Sequence, residues 1–180
     1  MSVITIDTTS LGLGAKQLAA MSKELEAAID DVLNVNILEI DEKAKQLAPA
    51  DRGFLRQHIS ANTSKHLSKE INVNTPYAAW MEFGTGMYAA QYVASLPSDW
   101  QQFALQFKGD KGKASIKGIL FLLQDWFHRH GINDKQHAFF IARKIFINGI
   151  RPHSFLYPAF KAQEPQMLKD INNAIKALIK

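Results

Sequence analysis

Apolar residues recur at helical spacing near the start of the chain. This three-to-four period predicts a helix over residues 15–47. Its apolar positions are Leu18, Met21, Leu25, Ala28, Ile29 and Val32, resumed by Ile40, Ala44 and Leu47. An unbroken helix of this length would span about 50 Å, whereas a compact chain of this size has a radius of gyration of only ~16 Å. We therefore expect the helix to protrude or to bend, the bend lying at 34–37, where polar and β-branched residues meet.

Alternation replaces the helical period after Pro49 and Gly53, which are expected to end the helix and reverse the chain. The alternation predicts strands over 54–63 and 69–75, joined as an antiparallel hairpin by a polar stretch. One face carries Leu55, Gln57, Ile59 and Ala61 in the first strand and Ile71, Val73 and Thr75 in the second. Because two strands alone are marginal in water, we expect helices on one face and a further strand, from residues 3–7 or from a neighbouring subunit.

A short helix is predicted over 77–83. Thr75 is a plausible N-cap, Pro76 suits the first helical position and Gly84 is placed to end the helix. Tyr77, Trp80 and Met81 would share one face, which predicts packing against the hairpin. An exposed Trp80 would instead indicate an interface anchor. Glu82 is expected to cap locally or to pair with Arg52 or Arg56.

Residues 86–148 are predicted to be a loop and helical insert. The stretch 86–98 has no clear period and predicts a long loop or arm, after which Ser98 and Gln101 resemble a capping box for a helix through Trp100, Phe103 and Phe107. The lysine-rich run 108–113 predicts a solvated loop, with a phosphate-contacting loop as the alternative. Ser115 and Gly131 bound one helix, and Asn133, with Gln136 three residues on, starts another that ends at Gly149. The apolar stripe of this helical hairpin is wide enough to indicate burial on two sides, within the domain or against a neighbour.

The end of the chain is predicted to be an extended segment followed by a helix. Pro152 and Pro158 disfavour helix, and Phe155, Leu156 and Phe160 supply anchors. Pro165 is expected to start the final helix, whose apolar face carries Leu168, Ile171, Ala174, Ile175 and Leu178. The sequence thus predicts a single α+β domain over 1–180: a small antiparallel sheet packed by long N-terminal and C-terminal helices, with a helical insert.

Composition changes this picture mainly by exclusion. The chain has 180 residues and no Cys, which excludes disulfides, thiolate chemistry and Cys-based zinc sites. Neither a secretory signal nor an apolar run of membrane-spanning length is recognised, so we expect a soluble protein that stays where it is made. The net charge of +4 is small and dispersed. It leaves a basic DNA-binding module open as an alternative function, supported by the lysines over 108–117.

Candidate chemistry is sparse. His128 and His130 are two positions apart on a predicted helix and point to different sides, while His137 lies beyond the turn at Gly131. His153 and Ser154 have no companion acid. We therefore predict no catalytic, cofactor-binding or metal-binding residues, and no enzyme. A phage-encoded hydrolase remains the other alternative, and it would depend on Glu82, His128 and His153.

Three short motifs carry most of the remaining information. Each places Gly or Pro where a helix must stop or a strand must begin. They comprise Pro49, Gly53, Leu55 and Arg56; Tyr77, Ala78, Glu82, Phe83, Gly84 and Thr85; and Pro152, Phe155, Leu156, Pro158 and Ala159. Their order and spacing resemble the tail-component family of siphophages typified by gene product ten of a lambda-like phage. The resemblance covers roughly residues 40–90 and 140–180.

The resemblance implies a structural protein of the neck or tail-completion region of a bacteriophage or prophage. Such a protein would join the tail to the DNA-filled head or terminate the tail tube. The implied partners are further copies of the chain in a ring, six being the expected number, and neighbouring neck or tail-tube proteins. DNA would pass through the channel without specific binding, and no membrane and no cofactor would be involved. The implied location is the virion, assembled in the cytoplasm of the bacterial host.

Overall fold

A computed structural model describes residues 23–107 and 115–178 of the chain. Within these ranges it is mostly helical with a small antiparallel sheet, so the predicted α+β class is confirmed. The elements are α1 (Lys23–Leu47), α2 (Phe54–Gln57), β1 (Ile59–Asn62), β2 (Glu70–Val73), α3 (Ala78–Phe83), α4 (Gly86–Ala94), α5 (Ser98–Leu105), α6 (Ile116–Arg129), α7 (Lys135–Asn148) and α8 (Leu156–Leu178).

The described residues divide into two compact units. Unit 1 comprises 23–78 and 154–178, and unit 2 comprises 79–107 and 115–153. The predicted insert, 86–148, falls in unit 2. Whether all 180 residues behave as one domain stays a prediction.

Helix α1 of unit 1 has one buried face, formed by residues three or four positions apart. This face carries Leu25, Ile29, Leu33, Asn36, Ile37, Ile40, Asp41 and Ala44. The expected alternatives were a protruding helix or a bend at 34–37; the helix runs through 34–37 without interruption, so no break is found among its described residues. The amide of Asn36 is satisfied within this continuous helix: it donates to the carbonyl oxygen of Val32 at 2.9 Å and accepts from Gln163 of α8, also at 2.9 Å. Residues 15–22 of the predicted helix lie outside the described ranges.

The β-hairpin of unit 1 pairs Ile59 with Val73 and Ala61 with Ile71 in an antiparallel register. Ile59, Ile71 and Val73 are buried, and both strands contact α1. The second predicted strand is confirmed, but the first was predicted too long, because 54–57 is the short helix α2. The suggested strand at 3–7 lies outside the described residues.

Helix α2 forms because Gly53 takes a left-handed backbone with φ 72°. The chain then closes a helical turn, in which the N–H of Gln57 donates to the carbonyl of Gly53 at 2.9 Å. Leu55 is buried and Gln57 is exposed, so their predicted common face is wrong. An alternating pattern over only four residues cannot distinguish a strand from a single helical turn.

Helix α8 begins at Leu156, inside the segment that was predicted to be extended. Pro158 lies in its first turn, where backbone N–H groups have no intrahelical acceptor, and a proline there removes no hydrogen bond. Pro165, the predicted start, lies inside the helix. The buried face of α8 carries Leu156, Ala159, Phe160, Gln163, Met167 and Ile171, and α8 packs along α1. Leu168 was placed on this face by the sequence but is exposed.

Helix α3 confirms the short helix predicted around 77–83, but Thr75 does not cap it with its side chain. The N–H of Ala78 donates to the backbone oxygen of Thr75 at 3.3 Å. The Thr75 hydroxyl oxygen is buried without a hydrogen-bond partner among the described residues.

Helix α4 of unit 2 occupies much of the stretch 86–98, so the predicted loop or arm is wrong. None of its residues is fully buried. Hydrophobic periodicity arises from burial on one side, and α4 therefore gave no helical signal. Helix α5 confirms the next prediction, although Pro97 is its N-cap and the predicted capping box is absent. Gln101 instead donates its side-chain amide to the carbonyl of Leu96 at 2.7 Å.

Helices α6 and α7 of unit 2 confirm the predicted helical hairpin. The Ser115 hydroxyl oxygen accepts from the N–H of Gly118 at 3.0 Å and caps α6. Helix α7 is capped by Asp134, one residue beyond the predicted Asn133; its carboxylate accepts from the N–H groups of Gln136 and His137. Gly149, at φ 87°, ends the helix as predicted.

Candidate assembly surfaces

The second and third sequence motifs meet in unit 2, although they lie 65 residues apart. The N–H of Thr85 donates to the carbonyl of Ile150 at 2.9 Å, and the Thr85 hydroxyl accepts from the N–H of Ile150 at 2.8 Å. The N–H of His153 donates to the carbonyl of Met81 at 2.7 Å. We call this arrangement the Thr85 joint. It fastens the end of α3 to the chain that leaves α7.

Glycines make the Thr85 joint possible because the two backbones touch. A Cβ on Gly84 would lie 2.7 Å from the carbonyl oxygen of Ile150, and one on Gly149 would lie 1.9 Å from that of Thr85. Both glycines have positive φ, 74° and 87°. Side chains at these positions would meet backbone that cannot rotate away, so the joint requires glycine.

The first motif lies in unit 1, where α1 ends. Gly53 starts α2, Leu55 is buried, and the guanidinium of Arg56 donates to the carbonyl of Ala48 at 3.5 Å. Tyr77 is near: its ring centre lies 6.5 Å from that of Phe54. Partial burial raises the pKa of the Tyr77 hydroxyl, and the charge of Asp51 adds to the effect. The raised pKa favours the neutral form of the Tyr77 side chain beside this turn.

The remaining motif residues are mostly internal. Ala78, Glu82, Phe83 and Gly84 are buried around α3, and Phe155, Leu156 and Ala159 are buried at the start of α8. Pro49, Thr85, Pro152 and Pro158 are half-buried. The suggested pairing of Glu82 with Arg52 or Arg56 stays a prediction. These placements fit scaffold positions, and the motif assignments themselves stay predictions.

A buried ammonium group organises the tip of the β-hairpin, and sequence reasoning missed it. Lys69 is fully buried, and its Nζ lies 2.8 Å from the Asp30 carboxylate and 2.8 Å from the carbonyl of Lys65. The N–H of Leu67, at φ 56°, donates to the same carboxylate at 2.6 Å. The tip is thus fastened to α1. Two charged residues 39 positions apart leave no local signal in a sequence.

The surroundings of Asp30 shift the pKa of its carboxyl group. Burial raises its pKa, but the hydrogen bonds from Lys69 and Leu67 and the charges of Lys69 and His66 outweigh burial and hold the pKa below its usual 3.8. The intact hairpin tip therefore favours the ionised form of Asp30.

Large apolar side chains are exposed in both units. Trp80 is 45% exposed. This contradicts its predicted packing against the hairpin and meets the stated condition for an interface anchor. The hairpin of α6 and α7 exposes Phe121, Leu122, Phe139, Phe140, Phe146 and Ile147, while Phe127 and Ala142 are its fully buried positions. Within the described residues, the apolar stripe of this helical hairpin is therefore buried on one side and exposed on the other. Exposed apolar surface of this extent is typical of protein interaction sites.

The histidines form no candidate metal centre. Among the described residues, no cluster of three or more His, Asp and Glu side chains could hold a metal ion. His130 Nδ1 lies 2.9 Å from the carbonyl of Trp126, and its ring stacks on that of Trp126 at 4.2 Å. The lysine run 108–113 lies outside the described residues. None of the described helices is both long enough and apolar enough to cross a membrane.

Residues 15–84 match the model of a protein family described as "Bacteriophage HK97-gp10, putative tail-component". The resemblance read from the sequence is therefore confirmed over this segment, which contains the first motif and most of the second. That description is of a component of the bacteriophage tail. No curated protein was found to match the chain. The search of solved structures also gave no match.

Proposed function

We propose that this chain is a structural protein of the neck or tail-completion region of a bacteriophage particle. It forms a closed ring of identical subunits, six being the expected number, that joins the tail to the head or terminates the tail tube. DNA passes through the ring without sequence-specific binding. The match of residues 15–84 to the tail-component family carries this proposal.

The exposed apolar surface supports the proposal. A ring of identical subunits uses two different surfaces of each copy, which meet by rotation about one axis. Exposed apolar residues occur in both units, with Val35 and Leu38 in unit 1 and Phe140 and Ile147 in unit 2. Each unit could thus supply one of the two surfaces.

Electron microscopy of particles made after deletion of this gene alone tests the proposal. Full heads beside unattached tails of normal length would place the protein at the joining step. Overlong or irregular tails would make it the tail terminator. Intact, infectious particles would refute the structural function. A plasmid copy of the gene should restore normal particles, and this control excludes effects on neighbouring genes.

A further inference from the structure

Helix α7 presents a contiguous apolar surface that begins beside its buried Ala142 and extends around the helix. The surface contains Phe139, Phe140, Phe146 and Ile147, all exposed, Phe140 by 62% and Ile147 by 58%. The rings of Phe139 and Phe140 lie edge to face at 6.2 Å. Exposed Arg143 lies among them, one helical turn from the pair Phe139 and Phe140 and one turn from the pair Phe146 and Ile147. We call these five residues the α7 face.

The neighbouring helix α6 presents a smaller exposed apolar surface. Two of its large apolar side chains, Phe121 and Leu122, are exposed, against four on α7. The more extensive exposed apolar surface of the hairpin is thus that of α7.

Helix α1 of unit 1 presents a second apolar surface. Val35 and Leu38 are 57% and 55% exposed and lie on the side opposite the buried stripe. Asp31 and Glu42, both exposed, extend the same line of residues in either direction. We call these four residues the α1 face.

The two faces are opposite in charge. Helix α7 contains Lys135, Arg143 and Lys144 and no acidic residue. Helix α1 contains seven acidic residues against three lysines. Within the described ranges, Arg143 and Asp31 form no ion pair. Opposite charge on two surfaces favours their association and helps to fix its orientation.

The lengths of the α7 face and the α1 face along their helices are also compatible. At 1.5 Å per residue, Phe139 and Ile147 are about 12 Å apart along α7, and Asp31 and Glu42 are about 16 Å apart along α1. The apolar length of one face therefore fits between the acidic ends of the other. Lys135 lies one turn before Phe139, at one end of the α7 face, where it can reach one of those acids.

We propose that the α7 face of one copy docks on the α1 face of a second copy. This inference rests on the proposed function and specifies the contact that builds the ring. Each copy offers one face of each kind, so the contact is heterologous and propagates until rotation closes it. A lipid bilayer would match the basic α7 face but not the acidic α1 face, so the complementary pair favours a second copy of the chain.

Cysteine cross-linking tests this contact, because the chain contains no Cys. The variant carrying Leu38→Cys and Phe140→Cys is treated with a short bismaleimide, as purified protein and in purified particles. We expect a ladder of covalent oligomers on a denaturing gel, ending at the number of subunits in the ring. Leu38→Cys alone and Phe140→Cys alone should each give no dimer, because a heterologous contact never brings two identical positions together.

The matched control pairs Leu38→Cys with Lys117→Cys, an exposed position on α6, and should give no ladder. Particles that contain the protein but yield no ladder would refute the proposed contact and leave the structural function standing. Dimers from Phe140→Cys alone would show that α7 faces pair with each other. Co-flotation with vesicles of equal parts neutral and anionic phospholipid, abolished by Phe140→Asp, would assign the α7 face to a membrane. Either of these two results overturns the proposal.

Discussion

The backbone of Gly149 lies so close to that of Thr85 that a Cβ on Gly149 would be 1.9 Å from the Thr85 carbonyl oxygen. Gly149 also has a φ of 87° and a ψ of −171°, a conformation almost confined to glycine. Two independent requirements therefore exclude a side chain there.

We expect Gly149→Ala to lower the free energy of unfolding by about 3 kcal/mol or more, through backbone strain and displacement of Thr85. Gly131 provides a matched control. Its φ is 69°, but a Cβ there would meet no atom within 4 Å. Gly131→Ala should cost only about 1 kcal/mol, the penalty for a left-handed residue. Urea unfolding followed by circular dichroism measures both, and equal losses would contradict the close contact.

The Thr85 hydroxyl should contribute through its hydrogen bond with the N–H of Ile150. Thr85→Val keeps the shape of the side chain but leaves that N–H without its acceptor, and we expect a loss of about 1–2 kcal/mol. Thr85→Ser retains the hydroxyl and should cost less. Hydrogen exchange at the Ile150 amide provides the direct measurement: faster exchange in the Val variant than in the Ser variant is expected, and equal rates would contradict the assigned bond.

The pair formed by Lys69 and Asp30 should behave as a buried ion pair. Asp30→Asn leaves the buried ammonium without its counter-charge, and we expect a loss of about 2–3 kcal/mol. Lys69→Met should also be destabilising, because Asp30 then loses its charged partner. The double variant should lose less than the sum of the two single losses, by about 1 kcal/mol or more. Strict additivity in urea unfolding would contradict direct coupling.

The same pair predicts a dependence on pH. The pKa of Asp30 is lower in the folded chain than its unfolded value of 3.8, so the unfolded state binds more protons between the two values. The stabilisation is complete above pH 3.8 and is lost as the pH falls through the folded pKa. Thermal unfolding from pH 6 to pH 2 should therefore show a smaller acid-induced decrease for Asp30→Asn than for the natural chain. Parallel curves for the two proteins would contradict the lowered pKa.

Sequence reasoning succeeded where burial is one-sided and local. Helices α1, α6 and α7 have apolar periods and recognisable terminal residues, and their predictions were confirmed in type. It failed at α4, whose residues are all at least partly exposed and leave no period. It also failed at Pro158, because a proline in the first turn of a helix looks the same in sequence as one in an extended segment.

The contacts that hold the candidate surfaces in place were beyond sequence reasoning for a different reason. Asn36 and Gln163 are 127 positions apart, and Asp30 and Lys69 are 39 apart. Each residue alone resembles an ordinary surface polar residue. Only packing of α8 and the hairpin on α1 brings them together, and no spacing rule for a single chain predicts such pairs.

Trp80 allows stability and assembly to be separated. Because its side chain is 45% exposed, Trp80→Ala should cost about 2 kcal/mol of stability, which is below the roughly 3–5 kcal/mol of a fully buried Trp. If Trp80 anchors a contact in the particle, the variant should nonetheless fail to restore normal particles to the deletion strain. Leu105→Ala removes an apolar side chain of α5 that is 60% exposed and serves as the control. Normal particle yield from Trp80→Ala, measured by electron microscopy and infectivity, would show that Trp80 is not an interface anchor. A large loss of stability in urea would instead contradict its exposed position.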